Sequence, residues 1–326
     1  MVLKTLDAIV ILPGIMGSRL VETTSGETLW GFDRPSLFVS AWTTGRSIDR
    51  LAVTEAELLG DHRRVQPAGI LRSPAYAPGF LGLDKYSRLL QTAELLTRDP
   101  SAVLEFAYDW RLSIEHNAMK LFAAATAHLT SWRKHPSGSA DAKLVLIAHS
   151  MGGLVARFYA QVLGGAQDVR TTITLGTPYY GSPKTAYMMG TGRGAPVPLP
   201  HIRMKRLVRT MPGMYDLLPH YRALRRGDKA EMLTPADVAQ LGGSSVLAVE
   251  ATRRHERLLA GERNRSPSVG RGGTTNDAEP FDRARRCQWA STRRTTATPR
   301  RGLTAQVTPP SRDWPRTSMG SQLPLS

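Results

Sequence analysis

The sequence predicts an α/β fold in which a mostly parallel β-sheet carries helices on both faces. Two observations lead to this prediction. Short apolar runs rich in β-branched residues end at turn residues, and longer segments with apolar residues three and four positions apart lie between them. Strands that alternate with helices pair in parallel through right-handed crossovers.

The individual elements follow from these patterns. The predicted strands are residues 8–12, 144–147 and 171–175, all expected to be buried, with a less regular fourth run at 244–249. The predicted helices are residues 86–97, 114–132 and 154–163. Residues 178–212 are rich in Gly and Pro, so we expect loop there, with a helical signal only at the end.

Composition narrows the function classes. The 326 residues hold 43 Lys and Arg against 27 Asp and Glu, a net charge of +16, and a single Cys. One Cys excludes an intramolecular disulfide and a Cys-based zinc cluster, and we predict no metal site or cofactor. No apolar run is long enough to span a membrane, and Asp7 interrupts the first apolar run, so no secretory signal is expected. These features favour a cytoplasmic location.

The charge is divided between two regions. Residues 261–326 contain twelve Arg, no Lys and five acidic residues, with few apolar side chains. Such a segment buries too little apolar surface to offset the entropy cost of ordering, and is predicted to be disordered. We therefore expect a folded domain at 1–260 and an Arg-rich tail at 261–326.

The string Ala148-His149-Ser150-Met151-Gly152-Gly153 lies between a predicted strand and a predicted helix. A strand that turns at once into a helix places its corner residue in a strained conformation, and small neighbours let the two backbones approach. Ser150 is therefore predicted to be a nucleophile, with the Met151 amide directed at the developing oxyanion. An ordinary strand–turn–helix joint is the alternative.

The loop after the first strand is the candidate for the other half of an oxyanion hole. Pro13-Gly14-Ile15-Met16-Gly17-Ser18 contains the two glycines that such a loop needs, and Ile15 would contribute its backbone amide. The alternative is a plain turn from strand to loop.

These residues and several others resemble the lecithin:cholesterol acyltransferase-like family of α/β hydrolases. The resemblance covers roughly residues 6–260. It rests on Ile11-Leu12-Pro13-Gly14-Ile15-Met16-Gly17-Ser18, Leu29-Trp30, Phe106-Ala107-Tyr108-Asp109-Trp110-Arg111, His149-Ser150-Met151-Gly152-Gly153, Leu175-Gly176-Thr177-Pro178-Tyr179-Tyr180-Gly181-Ser182, Met211-Pro212-Gly213-Met214-Tyr215 and Leu217-Leu218-Pro219.

The resemblance implies an α/β-hydrolase fold with a lid or cap segment, and acyl-ester chemistry on lipids by hydrolysis or by transfer to an alcohol. By this resemblance Ser150 matches the nucleophile, and Ile15 and Met151 match the oxyanion amides. Asp109 and Arg111 belong to a structural block, which we interpret as a buried ion pair at the start of a helix.

The rest of a catalytic triad is missing from the sequence. A serine nucleophile needs a base and an acid, which follow it along the chain in α/β hydrolases. After Ser150 the histidines are His201, in a loop; His220, in the Leu-Leu-Pro block; and His255, on the polar face of a predicted helix. None has the setting of the family's base, so the catalytic acid and base are unknown.

A frameshift in the gene would explain both this deficit and the tail, because an alternative reading frame of a GC-rich gene encodes such a composition. The last strands, the acid and the base would then be missing. This hypothesis requires that another frame past codon 260 encode an Asp-x-Thr-Val turn and a downstream His. A natural basic extension is the alternative. In either case we expect ester turnover to be impaired.

The segment from Val169 to Tyr215 has no acidic residue. If the segment forms the lid, its cations and its Met content suit contact with an anionic membrane surface. A solvated basic loop is the alternative. The cations predicted to face the membrane are Lys184, Arg193, Arg203, Lys205, Arg206 and Arg209. A non-catalytic protein that binds anionic lipid or nucleic acid is the alternative function, with nucleic acid supported by the tail alone.

Overall fold

A computed structural model describes residues 4–31, 36–72, 84–195 and 199–263. The tail from residue 264 onward lies outside the described residues, so its predicted disorder and the predicted domain boundary remain predictions.

The strands and helices of the described residues are as follows. The strands are β1 (Ala8–Leu12), β2 (Ser18–Glu22), β3 (Thr28–Trp30), β4 (Val65–Ile70), β5 (Val103–Glu105), β6 (Leu144–His149), β7 (Val169–Leu175), β8 (Arg222–Arg226) and β9 (Lys229–Met232). The helices are α1 (Ser36–Thr43), α2 (Arg46–Asp49), α3 (Glu55–Leu58), α4 (Asp84–Leu96), α5 (Ile114–Lys134), α6 (Met151–Gln161), α7 (Pro183–Thr191), α8 (His201–Thr210), α9 (Pro212–Tyr215), α10 (Pro235–Gln240) and α11 (Ser245–Arg263).

The central sheet has the strand order β5-β1-β6-β7, and every neighbouring pair in it is parallel. All five residues of β1 are buried, because a central parallel strand is covered on both faces. Helices pack against this sheet, with α6 contacting β1, β6 and β7. The predicted α/β architecture with a parallel sheet is thus confirmed.

The order of the strands positions the candidate site. β1 and β6 are neighbours, with Leu12 opposite Ala148 at their carboxyl ends. The loops that follow adjacent parallel strands leave the sheet at the same edge. The loop after β1 and the turn after β6 are therefore brought together by the fold.

Two smaller sheets lie outside the parallel one. The strands β3, β2 and β4 form an antiparallel sheet, and β8 and β9 form a hairpin. None of the helices in the described part of the chain combines the length and the apolar character needed to cross a bilayer.

Three predictions about individual elements were wrong. Residues 171–175 form a strand, but this strand is not buried as predicted. Among the described residues β7 pairs only with β6, and the Ile173 side chain is 47% exposed. Residues 245–249 of the fourth run fall in α11 rather than in a strand. Residues 178–212 include α7, where loop was expected, as well as α8 at the end, where a helical signal was expected. The helix over α11 arises because Leu247, Ala251 and Leu258 are buried at helical intervals.

The predicted ion pair between Asp109 and Arg111 is confirmed. Both side chains are buried just before α5, and Arg111 Nη2 lies 2.7 Å from Asp109 Oδ2. The same guanidinium nitrogen lies 2.7 Å from Glu57 Oε1, so the pair extends to α3. Thr54 and Arg64 also donate to Glu57. Burial alone would raise the pKa of Glu57, but these hydrogen bonds and the charge of Arg111 lower it below its usual value.

Candidate active site

Ser150 stands at a sharp turn between β6 and α6, with φ 51° and ψ −121°. Among the described residues, two that are not glycine have a positive φ, Ser150 and Met16 at 61°. Each lies on one of the two segments predicted to form the site. Strain of this kind persists only where the surrounding structure enforces it, and it is concentrated at functional sites.

Glycines allow the turn to pack tightly. A Cβ on Gly152 would lie 2.5 Å from the Pro13 carbonyl oxygen, and one on Gly153 would lie 1.9 Å from Thr177 Oγ1. A Cβ on Gly14 would lie 3.0 Å from Ser150 Cβ. The loop after β1 therefore lies directly against the turn that carries Ser150, at a distance that a larger residue would not permit.

Most backbone groups of the 13–18 loop are hydrogen-bonded. Tyr108 Oη donates to the Pro13 carbonyl at 2.9 Å, and the Gly14 amide donates to Tyr86 Oη at 2.8 Å. The Gly17 amide donates to the Gly14 carbonyl at 3.0 Å, and Trp30 Nε1 donates to the Met16 carbonyl at 2.9 Å. The loop is thus fixed at several points along its length.

Among the described residues, the amides of Ile15 and Met16 have no hydrogen-bond acceptor. The Met151 amide is the first of α6, where an N–H has no acceptor within the helix. Ile15 and Met151 are the two residues predicted for the oxyanion hole. Among the described residues, their amides and that of Met16 are therefore without an acceptor.

His149 precedes Ser150, and its ring lies against the loop. A Cβ on Gly14 would lie 2.7 Å from His149 Nδ1, and Tyr86 Oη lies 2.6 Å from the same nitrogen. The sequence did not identify Tyr86 as part of the site. It lies 63 residues from His149 and 72 from Gly14, so no local pattern could have indicated the contact.

The three histidines after Ser150 lie in different settings. His201 is exposed at the start of α8, whereas His220 and His255 stack with ring centroids 3.7 Å apart. His255 is buried, so the prediction that it occupies a polar helix face was wrong. His255 lies on the same face of α11 as the buried residues Ala251 and Leu258.

The buried pair lacks the bonding of a catalytic dyad. His255 Nε2 bonds to the Asp216 carbonyl oxygen at 2.7 Å, while the Asp216 carboxylate accepts hydrogen bonds from the Ile114 amide and Arg254. No hydrogen bond among the described residues reaches the Ser150 hydroxyl. The candidate base and acid therefore stay unassigned. The described residues also contain no cluster of three or more His, Cys, Asp or Glu that could hold a metal ion.

The predicted basic surface is smaller than the sequence suggested. Arg203 pairs with Asp49 at 3.0 Å, and Arg209 donates to the carbonyl oxygens of Met189 and Leu241. Lys184, Arg193 and Arg206 are exposed, and Lys205 is half-buried. The methionines of this segment are buried, so they face the core of the protein and not a membrane.

An apolar pocket lies beside the loop. Its wall includes Trp30, which donates its indole N–H to the Met16 carbonyl and so connects the pocket to the candidate oxyanion loop. The remaining lining residues are Leu29, Gly31, Leu37, Ala41, Ser47, Ile48, Leu51 and Leu199.

A parallel sheet with a strained serine between a strand and a helix defines the α/β-hydrolase fold. One chain of a solved structure described as the crystal structure of the Tle4-Tli4 complex is similar to this chain in fold. It is 18% identical to this chain, with a TM-score of 0.51 over 78% of this chain and 72% of that one. At this identity the similarity concerns the fold alone.

The lecithin:cholesterol acyltransferase family model matches residues 79–249, more than half of the chain. The chain therefore belongs to the lecithin:cholesterol acyltransferase family. Acyl-ester chemistry on lipids is the general activity that this membership supports. The match includes Ser150 and the Asp109–Arg111 block, while the loop after β1 lies before it. No curated protein gives a significant match.

Proposed function

We propose that the chain carries out acyl-ester chemistry on lipids through an acyl-enzyme at Ser150. The Ser150 Oγ attacks the ester carbonyl carbon, the new oxygen–carbon bond forms, and the alcohol leaves with a proton. Water or a second alcohol then takes the acyl group. The amides of Ile15 and Met151 bind the oxyanion of each tetrahedral intermediate. The strained backbone at Ser150, next to two uncommitted amides, is the observation that supports this assignment.

The apolar pocket beside Trp30 is small. Its volume of about 20 Å³ is room for about one water molecule and not for an acyl chain, so it is not assigned to the substrate.

We further propose that turnover is slow. None of the histidines in the described part of the chain is hydrogen-bonded to the Ser150 hydroxyl, so its proton must pass to water. Loss of triad members in a serine protease lowers kcat by about 10⁶-fold while the oxyanion hole and binding retain residual catalysis. Free imidazole should therefore raise the reaction rate of Ser150 by supplying the missing base.

Replacing Ser150 with alanine should abolish covalent labelling by an alkyl fluorophosphonate. In the labelling step the Oγ–phosphorus bond forms, the phosphorus–fluorine bond breaks, and the hydroxyl proton passes to solvent as fluoride leaves. Mass spectrometry of the intact protein and of its peptides measures the adduct. Ser101→Ala, at an exposed serine far along the chain from the turn, is the control and should label as the wild type does. Labelling that persists in Ser150→Ala would contradict the assignment, and rapid p-nitrophenyl ester turnover without imidazole would contradict the slow rate.

We also propose that the lid segment binds anionic membranes through a basic cluster of Lys184, Arg193, Lys205 and Arg206. A Cβ on Gly194 would lie 3.5 Å from Lys184 Cε, which brings Lys184 next to Arg193. A Cβ on Gly192 would lie 3.0 Å from the Lys205 amide nitrogen, which brings α8 to the same corner. Cations grouped in this way each contribute about 1 kcal/mol at an anionic lipid surface.

Reversing two charges of the basic cluster should weaken vesicle binding. For Lys184→Glu/Arg206→Glu we expect at least about 30-fold weaker binding to phosphatidylserine-containing vesicles, measured by co-sedimentation, because two favourable contacts of about 1 kcal/mol are lost. The control, Arg222→Glu/Lys229→Glu, makes the same net charge change on the exposed β8–β9 hairpin. Equal losses in both variants would show that binding depends on net charge and not on this cluster.

A further inference from the structure

The hydroxyl of Tyr86 joins the two segments that carry the candidate oxyanion amides. Tyr86 lies on α4 and is buried. Its Oη accepts a hydrogen bond from the Gly14 amide at 2.8 Å and lies 2.6 Å from His149 Nδ1. Gly14 immediately precedes Ile15, and His149 is two residues before Met151, so one atom links the loop to the strand end beside Ser150.

The second contact of the hydroxyl is a hydrogen bond as well. The Gly14 amide occupies one acceptor position on Oη, which leaves Oη free to bond to His149 Nδ1, with the donor set by the tautomer of His149. Burial raises the pKa of Tyr86 to about 12, so the hydroxyl remains protonated throughout the neutral range.

Close packing also restricts the contact between Tyr86 and His149. The rings of Tyr86 and His149 meet edge to face, with centroids 5.7 Å apart and an angle of 74° between their planes. A Cβ on Gly14 would lie 2.7 Å from His149 Nδ1, so the loop, the ring and the hydroxyl are in close contact. The other side-chain bonds to the loop, from Tyr108 and Trp30, connect it to elements other than the β6–α6 turn.

We propose that Tyr86 is a positioning residue that fixes the loop bearing Ile15 relative to the turn bearing Met151. This inference rests on the proposed function, because the position of the Ile15 amide matters only if Ser150 reacts. Without the hydroxyl, the Gly14 amide loses its acceptor, His149 Nδ1 loses its bond to Tyr86, and the loop separates from the turn. Two amides must lie together at the oxyanion to stabilise it, so a small displacement of one of them reduces catalysis.

Tyr86→Phe tests the inference, with Tyr215→Phe as a matched control. The Tyr215 hydroxyl is bonded in the same way, accepting from the Ser244 amide at 2.8 Å and donating to the Arg209 carbonyl at 2.6 Å. In Tyr86→Phe we expect the limiting rate of fluorophosphonate labelling at Ser150 to fall about 10-fold to 100-fold, below the 10²–10³-fold loss of an entire oxyanion donor. The concentration that gives half the limiting rate should change little. Tyr215→Phe should label like the wild type.

Hydrogen exchange of the Gly17 amide gives a readout that needs no reaction. This amide is bonded to the Gly14 carbonyl and makes no contact with Tyr86, so its exchange reports the order of the loop. We expect exchange at least about 10-fold faster in Tyr86→Phe than in Tyr215→Phe. Equal exchange in the two variants, or labelling rates at Ser150 that are equal, would overturn the positioning role. If the wild type itself is not labelled, the proposed function fails, and the exchange comparison alone decides the role of Tyr86.

Discussion

Replacing Arg111 with alanine is expected to lower the free energy of unfolding by about 3–5 kcal/mol. Arg111 is completely buried, and its guanidinium forms hydrogen bonds with both carboxylate oxygens of Asp109, with Glu57 and with the Leu51 carbonyl. Removing it leaves two buried carboxylates short of a cation. Most of the lost stability comes from these uncompensated buried charges and not from the ion pair itself, because a buried charge without its partner is strongly destabilising.

Urea denaturation followed by circular dichroism would measure the loss. Arg63→Ala is the control, because Arg63 forms an equally short ion pair with Asp61 at 2.7 Å but its side chain is 89% exposed. An exposed pair contributes at most about 1 kcal/mol. If the two variants lost similar stability, burial of the Arg111 network would not be the source of its contribution.

The features of the site that the sequence revealed are local ones. A strand, a corner serine and small residues stand within a few positions of each other, and the resulting strain at Ser150 is a property of that short segment. The loop after β1 was predictable for the same reason, because glycines at positions 14 and 17 indicate a tight turn. The ion pair of Asp109 with Arg111 spans only two residues.

The features that the sequence did not reveal depend on distant contacts. Tyr86 reaches the site from α4, and the burial of His255 depends on how α11 packs against the segment that contains Asp216. The cations between Val169 and Tyr215 are not distinguished by their local sequence. Arg203 and Arg209 are occupied by partners 154 and 32 residues away, which no local pattern indicates.

The helix α7 and the exposure of β7 both have signals in the sequence. α7 is capped at its start by Ser182, whose side chain accepts a hydrogen bond from the Lys184 amide; its first residue is Pro183, and Gly192 with φ 74° caps its end. These are standard start and stop signals for a helix, present in a segment that looked like loop because of its Gly and Pro content. The exposure of β7 had a signal as well, since Thr171, Thr172 and Thr174 are polar residues in a strand predicted to be buried.

Among the described residues, the parallel sheet has an uncovered edge at β7, and the base for Ser150 is unassigned. Among the described residues β7 has a neighbour on one side only, and its Ile173 and Leu175 are exposed. In α/β hydrolases the acid and base follow the nucleophile along the chain, after further strands. The described residues of this chain end with α11, so they leave both the sheet edge and the serine without the elements that would complete them.

Acidification from pH 7.5 to pH 5 is expected to destabilise the fold through the stacked pair of His220 and His255. Burial and the neighbouring His255 lower the pKa of His220 to about 3. Burial also lowers the pKa of His255, with Arg157 and Arg254 acting in the same direction, while the carbonyl and charge of Asp216 oppose the shift. In the unfolded chain a histidine titrates near pH 6.5.

The sign of the effect follows from proton uptake. Between pH 6.5 and the lowered folded pKa, the unfolded state binds a proton that the folded state does not, so stability falls as the pH falls through this window. For His220 alone the loss at pH 5 is about 2 kcal/mol. His255 adds to this loss of stability. Two other histidines add to it as well: burial lowers the pKa of His116 to about 4, and the pKa of His128 is also lowered.

His220→Phe isolates the contribution of one ring. The buried Nε2 of His220 has no hydrogen-bond partner, so phenylalanine keeps the stacking with His255, and no bond of that nitrogen is lost. We expect the variant to be at least as stable as the wild type at pH 7.5 and to lose about 2 kcal/mol less between pH 7.5 and pH 5, measured by urea denaturation at each pH. His201→Gln, at an exposed histidine, should follow the wild-type profile. Parallel profiles for wild type and His220→Phe would mean that His220 takes up no proton on unfolding, because the phenylalanine ring cannot titrate and His255 is present in both proteins.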